Sequence, residues 1–135
     1  MFRNFFVWFF NPCDKPITPI RTILWWEKRR IPFNIIIGLY GIFSLVVFFW
    51  AITTSGHLEP GEDAVEPLTL IAAPFFLNIC YTLGWFVEVL LRLINRSITS
   101  RLGVRLLKLG LGFSLFIASV PPAFWLIYKF WGHIT

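Results

Sequence analysis

The chain has 135 residues, of which 57% are hydrophobic, 19% aromatic and only 14% charged, with a mean hydropathy of +0.73. Soluble domains carry about 25% charged residues, and the one modest core available at this length could not take in so much Phe, Trp, Ile and Leu. The composition excludes a secreted disulfide scaffold, a disordered tail and an ordinary soluble enzyme. It predicts an all-α integral membrane protein with a single membrane domain over residues 1–135.

The first 32 residues read as an aromatic and basic segment at the membrane surface. Phe2 to Phe10 is an aromatic run with a single Arg. It lacks the long aliphatic stretch and small-residue cleavage site of a signal peptide, and it is too short to span. Asn11-Pro12 and Asp14-Lys15-Pro16 then break the chain as turn chemistry. Thr18-Pro19 reads as a helix start, with Thr as N-cap and Pro at the first helical position. The helix expected over 19–30 places Ile20, Ile23, Leu24 and Glu27 along one side, and Arg21, Lys28 and Arg29 on another. Trp25 and Trp26 suit interfacial anchors, so an amphipathic helix on the cytoplasmic leaflet is predicted. Pro32 is expected to turn the chain into the first span. An exposed aromatic patch marks an interaction site, which makes Phe5, Phe6, Trp8, Phe9, Phe10, Trp25 and Trp26 the candidate partner-docking residues.

Three apolar runs then reach the length of about 20 residues that a spanning helix needs. They cover 33–54, 68–94 and 106–130 and predict a three-helix bundle over 33–130, because only helices satisfy every backbone group within a lone segment in lipid. Between the first two lies an acidic loop, 55–67, with Glu59, Glu62, Asp63, Glu66 and no Lys or Arg. It lacks EF-hand spacing. Eleven of the twelve basic residues fall on the other side of the spans. The positive-inside rule makes that side cytoplasmic, with the N-terminus inside and the C-terminus outside. The sequon Asn95-Arg96-Ser97 is then cytoplasmic and silent. Arg101, Arg105 and Lys108 recur at i, i+4, i+7 as a basic stripe. Together with Arg29 and Arg30 they are the residues expected at anionic lipid headgroups, and nucleic acid is not needed to explain the net charge of +5.

Chemistry-bearing residues within the spans are few. Glu88 is the single acidic residue inside a predicted span, and Arg92 follows at i+4, the spacing of a same-face ion pair. An intramembrane ionisable group is a functional candidate by default, although its depth places it near the cytoplasmic boundary. Asn78, Thr82, Ser114 and Ser119 are expected to bond across helices or to their own carbonyls. Pro74 and Pro121-Pro122 each free a carbonyl four residues earlier, at Leu70, Ile117 and Ala118, and could build an outer-leaflet site or act as packing kinks. Gly38, Gly41 and Ser44, and Gly110, Gly112 and Ser114, offer small-residue seams. No His lies inside a span; His57 is in the acidic loop and His133 follows the last one. Cys13 and Cys80 sit in unlike contexts and form no metal or redox motif.

With no nucleophile–base pair, metal cluster or cofactor motif, the expectation is a non-enzymatic accessory or scaffold subunit of a larger membrane complex. Its expected setting is a bacterial cytoplasmic membrane, with other integral membrane subunits and anionic lipids as partners. The alternative is a small homo-oligomeric channel or carrier using the proline breaks and Glu88.

Overall fold

The computed structural model describes residues 2–13, 18–55, 67–95 and 99–131. They form α1 (Phe2–Phe9), α2 (Pro19–Ser55), α3 (Pro67–Ile94) and α4 (Leu102–Trp131), with no strand among them. Three segments, Pro19–Thr54, Ile71–Ile94 and Leu102–Trp131, are long and apolar enough to cross a membrane. The chain is therefore a membrane protein with three spans and a short N-terminal helix. The Asp14-Lys15-Pro16 turn, His57 and the acidic side chains of the 55–67 loop, Arg96 and Ser97 of the sequon, and His133 lie outside the described residues.

α2 begins where its capping chemistry dictates. Thr18 Oγ1 accepts the Arg21 backbone N–H at 3.3 Å, and Pro19 takes the first helical position, where no N–H is required. The aromatic run, expected as a surface segment without assigned secondary structure, is helical over Phe2–Phe9.

Pro32 does not turn the chain. α2 runs through it for 37 residues, about 55 Å at 1.5 Å per residue. The expected surface helix over 19–30 and the first span are thus one element. A single buried stripe explains the continuity: Thr22, Trp25, Trp26, Arg29, Phe33, Ile37, Ser44, Phe48, Ala51 and Ile52 are all buried, at helical spacing on both sides of Pro32. A bend there would take one half of the stripe off its partners. Pro74, Pro121 and Pro122 likewise lie inside unbroken helices, as lipid-facing helices tolerate when freed carbonyls find other donors.

Cross-helix hydrogen bonds fix the register. Between α2 and α3 the pairs run Trp26–Glu88, Arg30–Thr82 and Asn34–Asn78, rising along one helix and falling along the other, so the two are antiparallel. Between α2 and α4 they run from Tyr40–Ser119 and Ser44–Ala118 to Thr54–Lys129, so the position ten residues on along α2 meets one eleven residues on along α4 and the two helices are parallel. Ser119 Oγ donates to the Leu115 carbonyl at 2.7 Å, which leaves the Tyr40 hydroxyl to donate to Ser119 at 2.5 Å. The Ala118 carbonyl, released by the missing N–H of Pro122, is taken by the Ser44 hydroxyl.

Loss of that hydroxyl leaves a carbonyl with neither its helical donor nor a substitute. Ser44→Ala is expected to cost about 0.6–1.7 kcal/mol. Ser114→Ala, whose hydroxyl only returns to Gly110 O in its own helix, is expected to cost less. Reversible unfolding in mixed micelles measures both.

Candidate functional site

Two ionised side chains are withdrawn from solvent at the basic end of the bundle. The first is Glu88 on α3, 1% exposed. Its Oε2 accepts the Trp26 indole N–H at 2.6 Å. Its Oε1 accepts Arg92 Nε at 2.9 Å and Arg92 Nη2 at 2.5 Å. The remaining face of the carboxylate lies against α4, where a Cβ on Gly103 would fall 2.5 Å from Oε2 and 3.0 Å from Oε1. Three helices thus meet on one carboxylate, and α4 can approach only because position 103 has no side chain. Trp26 is fixed in turn: its backbone carbonyl accepts the Tyr81 hydroxyl, its ring stacks edge-on to Tyr81 with centroids 5.1 Å apart, and the space above Gly84 is filled by the indole, 3.1 Å from where a Cβ would be.

The second is Arg29 on α2, 4% exposed. Helix α1 has no basic residue in its last turn, so its terminal carbonyls need outside donors. Arg29 supplies them: Nε donates to Phe9 O at 2.8 Å, Nη2 to Trp8 O at 2.8 Å and to Asn11 O at 3.1 Å, while Nη1 returns to Trp25 O at 3.0 Å. The guanidinium also stands 4.0 Å from the Trp25 ring centroid and 5.0 Å from that of Trp8, a favourable cation–π arrangement. A cation at the negative end of a helix dipole adds to the attraction. Trp25 Nε1 completes the attachment with a hydrogen bond to Asn11 O at 2.9 Å.

These positions redistribute the candidate residues. Of the docking set, Phe9, Trp25 and Trp26 belong to the core, Phe5 and Phe10 are half-buried, and Phe6 and Trp8 face outward at 49% and 44% exposure. Of the headgroup set, Arg29 is not at the lipid surface, because the α1 carbonyls and two indoles hold it inside. Arg30 is half-buried, pairing with Glu27 at 3.0 Å and donating to Thr82 Oγ1 at 3.0 Å. Arg101, Arg105 and Lys108 are exposed, with Lys108 Nζ 5.1 Å from the Phe10 ring centroid. The Glu88–Arg92 pair forms at its expected spacing. Asn78 accepts from Asn34 at 3.1 Å and donates to Pro74 O at 3.0 Å.

Both oxygens of Glu88 accept hydrogen bonds and the side chain is 1% exposed, so the carboxylate is turned toward its neighbours and away from the surface. Among the described residues no three His, Cys, Asp or Glu side chains come together, and neither Cys13 nor Cys80 is in a disulfide. The chemistry of this region is that of a structural knot. The glycine seams at Gly38, Gly41, Gly110 and Gly112 play no part in it, since a Cβ at any of them would meet nothing within 4 Å. The close approaches are made at Gly84 and Gly103, which stood out in neither seam. Comparison of the chain with known protein families, curated proteins and solved structures found no match.

Gly103→Ala is expected to destabilise the bundle by about 1–3 kcal/mol, the range of overpacking, because the methyl group and the carboxylate cannot both stay. Gly110→Ala is expected to be neutral or to gain up to about 1 kcal/mol from helix propensity. Unfolding midpoints of the two variants in the same detergent separate the cases.

Proposed function

We propose that the chain is a non-enzymatic accessory or scaffold subunit of a larger membrane protein complex. One observation carries this reading. Arg29 and Trp25 pin a short helix to the bundle while Phe6, Val7 and Trp8 on that helix stay 49%, 66% and 44% exposed. A buried cation devoted to holding an aromatic patch outward makes sense where another surface meets the patch. The spans support the same reading: 11% of the apolar window of α3 and 11% of that of α4 are buried within the chain, leaving long faces for lipid or for neighbouring helices. Gly38 and Gly41 on α2, and Gly110 and Gly112 on α4, are open to close approach from outside.

The charge pattern supports a cytoplasmic N-terminus and α3–α4 connection under the positive-inside rule, and a bacterial cytoplasmic membrane is the setting proposed for it. Arg101, Arg105 and Lys108 then meet anionic headgroups of the inner leaflet. A homo-oligomeric channel or carrier has less to draw on. Its proline breaks are continuous helix, one freed carbonyl is taken by Ser44, and Glu88 is enclosed.

Phe6→Ser combined with Val7→Ser removes the outward patch and leaves Phe9 and Arg29 in place. Mild-detergent purification of the tagged variant from its host is expected to lose the membrane proteins that accompany the wild type in fixed ratio, with membrane insertion unchanged. Undiminished co-purification, or a wild type that comes alone as a homo-oligomer, would sink the docking role.

A further inference from the structure

A row of polar side chains outside the Glu88 knot follows the seam between α2 and α3. Glu27, Arg30 and Asn34 stand at i, i+3 and i+7 on α2, and Asn78 and Thr82 at i and i+4 on α3, each set on one helical face. Arg30 Nη2 donates across the seam to Thr82 Oγ1 at 3.0 Å, and Asn34 Nδ2 to Asn78 Oδ1 at 3.1 Å. Thr82 Oγ1 donates in turn to Asn78 O at 2.9 Å. Arg30 Nη2 also meets Glu27 Oε1 at 3.0 Å, and the guanidinium stands 5.4 Å from the Tyr81 ring centroid. The row is therefore in place before anything joins it, and all of its members are half-buried.

These side chains keep bonding capacity in reserve. Among the described residues Arg30 Nη1 and Glu27 Oε2 have no partner, and the two side chains are 33% and 41% exposed. Asn34 gives one of its two amide N–H donors to Asn78 and holds the second. Arg30 and Glu27 together carry no net charge, which suits neither a lone anion nor a lone cation. A zwitterion fits the pair, with its negative group on Arg30 and its positive group on Glu27.

Depth selects the zwitterion. The uninterrupted apolar stretch of α2 begins at Phe33; Arg30 precedes it by about 4.5 Å and Asn34 follows it by about 1.5 Å. The polar zone on each side of the hydrocarbon core is roughly 5–8 Å thick. The Arg30 guanidinium, with the Glu27 carboxylate drawn against it, thus stands at the level of lipid phosphates, and Asn34 at that of the glycerol esters. Deeper on the face of α3 that carries Asn78 come Phe75 and Ile71, 68% and 73% exposed. They lie about 4.5 and 10.5 Å beyond Asn78, within the near half of a core about 30 Å thick. We propose that this seam binds one phosphatidylethanolamine, with its phosphate on Arg30, its ammonium on Glu27, an ester carbonyl on Asn34 and an acyl chain along Phe75 and Ile71. The ammonium brings N–H donors that a choline headgroup lacks, and a phosphatidylglycerol would set a net anion beside Glu27. The site is independent of the accessory-subunit reading and uses none of Phe6, Val7 and Trp8.

The test is native mass spectrometry of the full chain released from nanodiscs that hold phosphatidylethanolamine, phosphatidylcholine and phosphatidylglycerol in equal amounts. Wild type is expected to retain one phosphatidylethanolamine in preference to the other two. Glu27→Gln, which keeps the phosphate ligand, is expected to hold phosphatidylethanolamine and phosphatidylcholine equally. Arg30→Gln is expected to lower phosphatidylethanolamine retention about tenfold, equivalent to roughly 1.4 kcal/mol. Arg101→Gln with Arg105→Gln is expected to leave retention in place, and circular dichroism checks that each variant is helical. A wild type that holds phosphatidylcholine as well as phosphatidylethanolamine, or that selects phosphatidylglycerol, would overturn the site. So would unchanged selectivity in Glu27→Gln, a substitution at a partly exposed side chain outside the core.

Discussion

A carboxylate that is 1% exposed governs the basic end of this bundle. Burying an ion costs several kcal/mol, and removing one partner of a buried pair typically costs about 3–5 kcal/mol, so every group around Glu88 is constrained. Its two oxygens require donors, which come from the same helix through Arg92 and from α2 through Trp26. Its bulk requires a gap in α4, which Gly103 provides. Trp26 can reach it only with its own ring seated over Gly84 and its carbonyl held by Tyr81. From that knot the Arg30–Thr82 and Asn34–Asn78 bonds continue the α2–α3 register into the membrane. Trp26 lies about 10 Å before Phe33 along α2. The knot therefore lies on the basic side of that apolar stretch, where a carboxylate–guanidinium pair costs less than it would in hydrocarbon.

Arg29 solves a different problem at the same level. Here the cation answers a set of backbone carbonyls at the end of α1, with indole faces on either side. A helix of 8 residues is too short to hold itself in water, and attachment to Arg29, Trp25 and the core through Phe9 is what makes α1 a fixed part of the molecule. The outward aromatic patch follows from that attachment. Without Arg29, Trp25 and Phe9 alone would hold α1 to α2, and the common orientation of Phe6, Val7 and Trp8 would be less firmly set.

Much of this was legible in the amino-acid order, and the divide is a physical one. Features set by local chemistry could be read directly: the three spans from their apolar length, the start of α2 from Thr18-Pro19, and the Glu88–Arg92 pair from its i, i+4 spacing. Features set by contacts between distant residues could not. Trp26 and Trp25 look like interfacial anchors, and nothing near them in the chain says that one indole reaches a carboxylate 62 positions away. Gly103 is isolated, so it fell outside the glycine seams although it makes the closest approach. Arg29, read as a surface cation beside Lys28 and Arg30, is buried because α1 ends next to it. The continuity of α2 was available in principle. The stripe from Thr22 to Ile52 keeps helical spacing across Pro32, and in lipid such a stripe outweighs the propensity of a single proline to bend the chain.

The hydrogen bond from Trp26 to Glu88 is the contact on which this account turns, and the indole proton reports on it directly. In uniformly 15N-labelled protein in micelles, the Trp26 Nε1–H resonance, assigned by Trp26→Phe, should lie downfield of the other indoles and exchange slowly with deuterium. It should move on Glu88→Gln while the resonance of Trp131, at the far end of α4, stays in place. A Trp26 indole proton that exchanges as fast as that of Trp131, and is indifferent to Glu88→Gln, would contradict the account.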